Sequence, residues 1–506
     1  MTKKVLLVTG DGSLLSELVS ALGAREEDLD VRPCSDHGRG RDLLAEFRPD
    51  FVIVSLALAR DSKSPVVDMG GLAFCKAAIA ISAAPIAIIT PSPLTVAVSD
   101  GVRTVGGNVT PYPVADGYIA KLLHQIRTTR PPPKRLEIRV EAHADNRWTY
   151  ALRGVNFQYK RAGALAFDPG AQAMSKRLAK NIEELPANWE DQFEDLGRGI
   201  VLSLFGAGSS FTDDVKQGVE EAGGLHRTRV IFAVGKEQYD IALEAVFPPV
   251  ATPCHPWMIH APLLRNVNVL GQSASNTPLF DGPPRLRRCL IVGANTNGFC
   301  DDIVVGGKSL ELGKLSHIKS ECDAVEALFN EAKDALGFDD PKVVGTDPTA
   351  PLTKNNFQSL LQSEQWDVIH FAGHAYHSPT ADQNGAPRGP QHACLFVGAP
   401  DHPEAVEMDT IVPWLRDTTS LLYLSGCQTA NAGFAVAAAT SGVPAVLGFR
   451  WKVQDKPAEQ HARLFYHQLF REKTIDKAFR NTRRGMRLLN HKDNAWASGM
   501  LVMASQ

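Results

Sequence analysis

The sequence lacks both a long apolar run and a strong excess of charge. No stretch reaches the ~18 uninterrupted apolar residues that a bilayer span requires. The run at residues 5–8 is too short for a signal-peptide core and stops at Thr9. The formal net charge is −3 over 506 residues, so charge does not indicate nucleic-acid binding. We therefore expect a cytoplasmic protein that binds neither a membrane nor nucleic acid.

Paired cysteines and metal-ligand spacings are lacking too. The eight cysteines contain no Cys-x-x-Cys pair, so the sequence predicts reduced thiols, of which at most one or two have a chemical role. Cys254 adjoins His255, but neighbouring side chains point in different directions and no second pair lies at ligand spacing. His370, His374 and His377 stand on a strand-to-loop turn, where their spacing does not favour a shared metal. We predict no metal and no cofactor.

Length and composition predict a globular protein of about three domains. Hydrophobic residues make up 44% of the chain and charged residues 22%, which are ordinary values for globular proteins. A chain of 506 residues exceeds what one hydrophobic core holds. We expect a first domain over residues 1–127, a proline-rich linker over 128–134, a mixed α/β middle segment over 135–284 and a last domain over 285–506.

Residues 1–127 alternate short apolar strands with helical patterns. Residues 5–8, 51–54 and 86–89 are continuous apolar runs, which are typical of parallel strands covered on both faces. Apolar side chains recur at helical spacing over residues 14–22. The alternation predicts a doubly wound α/β sheet.

This first region resembles a response-regulator receiver domain, which has a flavodoxin-like fold. Residues 49–54 and then 68–72 resemble that family's third strand and the loop after it. The family's phospho-accepting Asp falls at Ser55, and its metal-holding acidic pair falls at Thr9 and Gly10. Magnesium prefers carboxylate oxygens, which these positions lack. The resemblance therefore implies a pseudo-receiver, kept for homodimerisation or for binding an activator protein.

Two strand ends in the last domain carry residues capable of nucleophilic chemistry. Buried strands are predicted at residues 367–371 and 421–424, and they run into His374 and Cys427. Reactive groups gather beyond the carboxyl ends of strands in an open parallel sheet, so both side chains can reach one crevice. A nearby imidazole raises the thiolate fraction of a thiol whose pKa is near 8.5. The order and the separation of 53 residues also fit a caspase-type arrangement.

The same residues have plainer roles to set against this interpretation. A cysteine after a strand is usually a small buried hydrophobe, and a histidine at a strand end is more often a hydrogen-bonded scaffold residue. In the catalytic interpretation, small neighbouring residues expose the backbone N–H groups of Cys427 and Ala375 as an oxyanion hole.

Residues 285–506 resemble a CHAT domain, a branch of the caspase-like (clan CD) cysteine peptidases. The motifs that carry the resemblance are residues 367–374, 424–430, 442–448 with 451–455, 465–469 and 496–500. The resemblance implies that Cys427 is the nucleophile and His374 the general base of a caspase-like α/β domain. It also implies a regulated bacterial endopeptidase of a stress, defence or cell-death pathway, which cleaves specific partner proteins, including candidates encoded nearby.

The sequence departs from the family's usual pattern in two respects. Ala375 stands where the family usually has Gly, which reduces backbone freedom at an oxyanion donor. No tetratricopeptide array is present, although many CHAT proteins carry one. Residues 239–244 resemble the region that these proteins often place before the catalytic sheet, so the middle segment is expected to belong with the last domain.

Asp455 and Trp451 are candidates for the substrate pocket. They follow the strand after the cysteine motif, where caspase-like enzymes recognise the residue before the cleaved bond. A carboxylate there favours a basic residue, and the plainer role of Asp455 is a helix N-cap. His370 is expected to pack or hydrogen-bond beneath the site. The loop at 378–391 either orders on substrate binding or is a surface insertion.

Two other interpretations remain open. The chain is a non-enzymatic scaffold if both the receiver and the peptidase are dead, although the retention of both Cys427 and His374 argues against that. It is a phospho-regulated output protein if the first domain is phosphorylated, and Ser55 in place of Asp argues against that.

Overall fold

The computed structural model describes two compact units. One consists mostly of residues up to 135 and the other mostly of residues 136–506. The described residues are 3–23, 29–47, 49–59, 66–67, 69–81, 84–90, 95, 109–114, 118–128, 134–143, 147–165, 168, 170–184, 188–206, 209–235, 238–249, 255–267, 286–305, 308–377, 393–415, 418–427, 429–430, 434, 437–438, 442–472, 474–489 and 492–503. Most of the expected linker, the loop at 378–391 and Cys254 lie outside them.

The smaller unit is a parallel sheet with helices on both faces. Its strands are β1 (Lys3–Val8), β2 (Leu29–Cys34), β3 (Phe51–Ser55), β4 (Leu58–Ala59), β5 (Val66–Val67), β6 (Ile86–Thr90) and β7 (Val109–Pro113). Its helices are α1 (Gly12–Gly23), α2 (His37–Phe47), α3 (Gly70–Ile81) and α4 (Tyr118–Thr128). Strands β4 and β5 form a short hairpin, and the others pair in parallel in the order β2-β1-β3-β6-β7. This order is the flavodoxin-like one, which confirms the predicted fold class.

The continuous apolar runs of this unit follow from burial on two faces. Leu6 and Val8 of β1 belong to the core under α2 and α3. Val5 and Leu7 belong to the opposite core, under α1 and α4. Because successive side chains of a strand point to opposite faces, a strand between two helical layers has no position left for a polar residue.

The larger unit contains one long mixed sheet and two small sheets. Its strands are β8 (Arg135–Ala142), β9 (Trp148–Val155), β10 (Lys160–Leu165), β11 (Thr228–Val234), β12 (Leu263–Val267), β13 (Cys289–Ala294), β14 (Gly298–Val305), β15 (Lys308–Leu312), β16 (Lys342–Val344), β17 (Val368–Gly373), β18 (Ala375–His377), β19 (Ala393–Ala399), β20 (His402–Glu407), β21 (Leu421–Ser425), β22 (Ala445–Phe449) and β23 (Gly499–Met503). The sheet has the order β10-β9-β8-β11-β12-β23-β22-β21-β17-β13-β16. Strand β22 pairs antiparallel with β23 and parallel with β21. Strands of the middle segment therefore share a sheet with strands of the last domain.

Helices cover this sheet, and two small sheets stand beside it. The helices are α5 (Gly170–Glu184), α6 (Trp189–Phe205), α7 (Ser210–Ala222), α8 (Trp257–His260), α9 (Ile318–Leu336), α10 (Lys354–Ser363), α11 (Met408–Leu415), α12 (Asp455–Glu472), α13 (Ile475–Leu489) and α14 (Ala495–Ser498), with 3-10 turns at Leu225–Arg227 and Leu243–Ala245. Strands β18, β19 and β20 form one small sheet, and β14 with β15 forms a hairpin. No described helix combines the length and the apolar character that a membrane crossing needs.

A fully buried ion pair attaches the segment at 239–244 to the sheet. Arg265 on β12 donates two hydrogen bonds of 2.6 Å to the carboxylate of Glu244 and further bonds to the carbonyls of Tyr239 and Ile241. Arg450, just after β22, donates to Ile241 and to Glu244 at 3.1 and 3.3 Å. Burial alone raises the pKa of a carboxyl, but the guanidinium groups of Arg265 and Arg450 outweigh burial and hold the pKa of Glu244 at about 2.

Removing the shared carboxylate is expected to destabilise the larger unit strongly. Glu244→Ala leaves two buried guanidinium groups without their anion, which costs about 3–5 kcal/mol of the free energy of unfolding. Glu364→Gln is the control, because its ion pair with Lys342 is 43% exposed on both sides and is worth less than about 1 kcal/mol. Urea unfolding followed by tryptophan fluorescence measures both, since all seven tryptophans lie between residues 148 and 496. Equal midpoints for Glu244→Ala and wild type would contradict the expectation.

Candidate active site

His374 and Cys427 follow the ends of two neighbouring parallel strands. Strands β17 and β21 pair in register, with Ala372 opposite Ser425, and each candidate lies two residues beyond that pair. The strand ends approach closely, because a side-chain carbon built on Gly426 would lie 2.7 Å from the carbonyl oxygen of Gly373. Glycine at 426 is therefore required by space. The structure brings the two residues to the same edge of the sheet, as the strand pattern indicated.

The imidazole of His374 is held by a backbone carbonyl. Its Nε2 lies 2.6 Å from the carbonyl oxygen of Gly313, in the loop after β15. Since a carbonyl oxygen only accepts, Nε2 carries the proton of the neutral ring, and Nδ1 keeps a lone pair. Burial lowers the pKa of His374, and it outweighs the opposing effects of the Gly313 bond and of the Asp455 charge. The ring is thereby kept in the neutral form that a general base needs at neutral pH.

Among the described cysteines, Cys427 is half-buried and the others are buried. Its thiol donates a hydrogen bond to the carbonyl of Val453, with sulfur and oxygen 3.4 Å apart. The other described cysteines are buried, and burial raises the pKa of each thiol; they are Cys34, Cys75, Cys289, Cys300, Cys322 and Cys394. Buried thiols of raised pKa are inert, so Cys427 is the described thiol best placed to react.

The backbone around the two residues offers candidate oxyanion donors. Ala375 lies opposite Leu395 on β19, and the next pair is bonded through the Phe396 N–H and the His374 carbonyl, 3.1 Å apart. Because hydrogen-bonded and non-bonded pairs alternate in an antiparallel ladder, the Ala375 N–H points away from β19. Strand β18 is the edge of its sheet, so that N–H is directed out of the ladder.

Thr429 stabilises the turn that presents Cys427. Its hydroxyl lies 2.8 Å from the carbonyls of Leu424 and Gly426, and it accepts a hydrogen bond from the Phe449 N–H at 3.1 Å. The turn is therefore tied both to its own strand and to β22. Sequence reasoning missed this role, although Thr429 lies within the cysteine motif.

The predicted pocket residues lie just after β22. Asp455 is the first residue of α12, and its Oδ2 accepts hydrogen bonds from the backbone N–H groups of Ser316 and His317 at 2.6 and 2.7 Å. Trp451 is only 3% exposed, and the guanidinium of Arg450 lies 5.5 Å from the centre of its ring. Their role in a substrate pocket stays a prediction.

His370 lies beneath the site, as expected. It is fully buried on β17, with Nδ1 3.3 Å from the hydroxyl of Tyr466 and Nε2 3.2 Å from a carboxylate oxygen of Glu321. Within the part of the chain that the structure describes, no group of three or more His, Cys, Asp or Glu side chains is arranged to hold a metal ion.

In the smaller unit, hydroxyl side chains occupy the strand ends that hold carboxylates in a receiver. Thr9 follows β1 and Ser55 ends β3, whereas Thr90, which ends β6, stands where a receiver itself has its switch Thr. The Ser55 hydroxyl donates to the carbonyl of Ala57 at 2.5 Å. Asp11 uses one carboxylate oxygen to accept from the N–H groups of residues 13 and 14, so it caps α1. These residues lack the acidic cluster that Mg²⁺ and a phosphoryl group require.

Comparison with known families and structures gives one sequence match and several structural ones. The family model of the CHAT domain matches residues 259–504. No curated protein matches the chain. Solved structures that the chain resembles include a receiver domain protein from Methanospirillum hungatei, at 19% identity and a TM-score of 0.21, covering 25% of this chain and 92% of that one.

Two further structural matches are of the same kind. The response regulator domain of Thermotoga maritima CheB is 13% identical, with a TM-score of 0.21, over 26% of this chain and 96% of that one. The receiver domain of a modulated diguanylate cyclase from Desulfovibrio desulfuricans is 22% identical, with a TM-score of 0.21, over 26% of this chain and 94% of that one. The fold of the smaller unit rests on its own strand order, given above.

Selective alkylation of Cys427 is the expected chemical signature of this site. Iodoacetamide added to the native chain at neutral pH should modify Cys427 about tenfold faster than the six buried thiols, because only thiolates react and buried thiols stay protonated. Peptide mass spectrometry reads each cysteine separately, and labelling in denaturant provides the control in which all eight react. Equal native rates for Cys427 and any of the six buried cysteines would show that the thiol is not activated.

Proposed function

We propose that the protein is a cysteine endopeptidase, because residues 259–504 match the family model of the CHAT domain, which is a caspase-like peptidase family. Cys427 is its nucleophile and His374 its general base. The observation that carries the proposal is the register of β17 and β21, which sets both residues beyond adjacent strand ends. The bond from His374 Nε2 to Gly313 supports it, because it leaves Nδ1 as the basic nitrogen.

The reaction follows the general course of acyl transfer to a thiol. His374 Nδ1 accepts the thiol proton as Cys427 Sγ bonds to the scissile carbonyl carbon, and the carbonyl electron pair moves to oxygen. The N–H groups of Cys427 and Ala375 donate to that oxyanion. Collapse of the intermediate breaks the C–N bond, and the imidazolium proton passes to the leaving amine. Water, deprotonated by His374, then hydrolyses the thioester and restores the thiol.

We assign the middle segment, residues 135–284, to the catalytic unit. Its strands β8 to β12 lie in the same sheet as β21 and β17. Arg265 and Arg450 both bond to Glu244, which supports a single folding unit that spans the segment and the peptidase motifs. The boundaries at residues 127, 134 and 284 are part of this proposal.

We assign the smaller unit to regulation. Its strand ends carry Ser55 and Thr9 in place of carboxylates, so a phosphorylation signal has no acceptor there. This unit therefore acts through contact with another protein. The peptidase is held inactive until a stress, defence or cell-death signal arrives, and residues 1–127 serve for homodimerisation or for binding the activator protein. The substrates are specific partner proteins, with those encoded nearby as the first candidates.

A catalytically inactive scaffold is the alternative function. The observation that favours it is that the smaller unit carries Ser55 and Thr9 at strand ends where a receiver has its reactive carboxylates. The half-buried Cys427 and the neutral, carbonyl-held His374 favour the enzyme. The two functions differ in whether substrates are cut.

Cleavage of a partner protein is the expected activity. Wild type and Cys427→Ala are each co-expressed with neighbouring gene products, and mass spectrometry searches for new protein termini. Termini that appear with wild type and vanish with Cys427→Ala are expected, since removal of a nucleophile abolishes acyl transfer. Identical termini with both forms would refute the assignment of Cys427. If neither form cuts, labelling of Cys427 with a peptide electrophile separates a missing activator from a scaffold.

Self-association through the smaller unit is the expected regulatory contact. Light scattering after size exclusion measures the mass of the full chain over a range of concentrations, beside a chain that begins at residue 134. A dimer that is lost on truncation is expected. A full chain that stays monomeric at high concentration would count against self-association and leave an activator protein as the occupant of this unit.

A further inference from the structure

Asp455 ties α12 to the loop that precedes α9. Its Oδ2 accepts from the backbone N–H of Ser316 at 2.6 Å and of His317 at 2.7 Å, and it lies 3.3 Å from the Ser316 hydroxyl. Bonds from two backbone N–H groups to one carboxylate oxygen are strong because the acceptor is charged. The contact spans about 140 residues of sequence, so it fixes one part of the fold against another.

The loop that Asp455 holds also carries the partner of His374. Leu312, the last residue of β15, is buried, and Gly313 follows it directly. The chain is thus held on one side of Gly313 by strand β15. On the other side it is held by the hydrogen bond from Ser316, three residues after Gly313, to Asp455. Between these two anchors lies the carbonyl that receives the Nε2–H of His374. A side chain at Gly313 would meet no atom within 4 Å, so the backbone carbonyl, not the glycine, is what the loop supplies.

We propose that Asp455 is a positioning residue, which holds the loop at 313–317 where the Gly313 carbonyl fixes the orientation of His374. This inference rests on the proposed function, because it assigns Asp455 a role only if His374 is a base. Asp455 positions His374 through Gly313, its charge also raises the pKa of His374, and it does not touch the reacting atoms.

The same short segment holds the nucleophile. Val453, two residues before Asp455, accepts the hydrogen bond of the Cys427 thiol. Residues 453–455 therefore contact Cys427 through one carbonyl and His374 through the Asp455-held loop. A ligand or partner that shifts this segment disturbs both members of the pair together.

A positioning role and a pocket role make different demands on Asp455. Positioning needs an acceptor of the right shape, which Asn keeps and Ala lacks. Recognition of a basic substrate residue needs the negative charge, which both Asn and Ala lack. If Asp455 positions the loop, Asp455→Asn should therefore stay closer to wild type than Asp455→Ala does. If Asp455 recognises a basic substrate residue, the two variants should behave alike.

The test is the pH profile of Cys427 alkylation in the full chain, read by peptide mass spectrometry. A well-placed imidazole accepts the thiol proton and lowers the pH at which alkylation becomes half-maximal. His374→Ala should raise that midpoint by about one pH unit or more, toward the ordinary thiol value near 8.5. Asp455→Ala should shift it in the same direction, and Asp455→Asn, which loses the charge but keeps the acceptor, should shift it less.

Glu459→Gln is the matched control. It removes one negative charge one turn along α12, where the carboxylate contacts the side chains of His317 and Ser320 instead of backbone N–H groups. Its midpoint should match wild type. Ser316→Pro is the second variant if Asp455→Ala does not fold, because it deletes one N–H donor and leaves Asp455 in place. A smaller upward shift is expected for it.

The outcomes separate the two proposals. If His374→Ala leaves the midpoint unchanged, the Cys427–His374 pair itself is wrong, and the proposed function fails with it. If His374→Ala shifts the midpoint while the folded Asp455→Ala and Ser316→Pro variants do not, Asp455 has no positioning role and the inference is overturned.

Discussion

Strands β17 and β21 pair in parallel with Ala372 opposite Ser425, and the geometry of the site depends on that register. Parallel strands end on the same edge of a sheet, so residues at equal distances past the pair lie side by side. His374 and Cys427 are both two residues past it. Gly426 allows the two chains to approach, since any larger residue would collide with the carbonyl of Gly373. The relative placement of His374 and Cys427 is thus set by backbone pairing.

The buried group of Glu244, Arg265 and Arg450 connects β12 with the end of β22. Strand β12 and the end of β22 are held through a segment that belongs to neither. Buried ion pairs contribute little net stability, yet loss of one partner is costly, which favours a single arrangement of the strands. Arg450 of this group directly precedes Trp451, so the chain is anchored by a buried side chain shortly before the segment at 453–455.

The strands and the placement of His374 and Cys427 at one edge of the sheet were predictable, whereas their hydrogen-bond partners were not. Residues 289–293 and 421–424 are apolar because both faces of the sheet are covered, and His374 and Cys427 stand out as polar residues just past such runs. Gly313 and Val453 act through backbone carbonyls, which every residue type possesses, so no letter in the sequence marks them. The insertion of β23 between β12 and β22 depends on contacts far apart in sequence.

The register of β17 with β21 determines where the chain tolerates an insertion and where it does not. An insertion in a connection between strands leaves the pairing intact, because loop closure costs only a little more for a longer loop. One residue inserted between Ala372 and His374 would turn the imidazole to the other face of the strand. Homologues that keep this chemistry should therefore differ in loop length. In each of them, the residues equivalent to His374 and Cys427 should lie two positions after the equivalent of the Ala372–Ser425 pair.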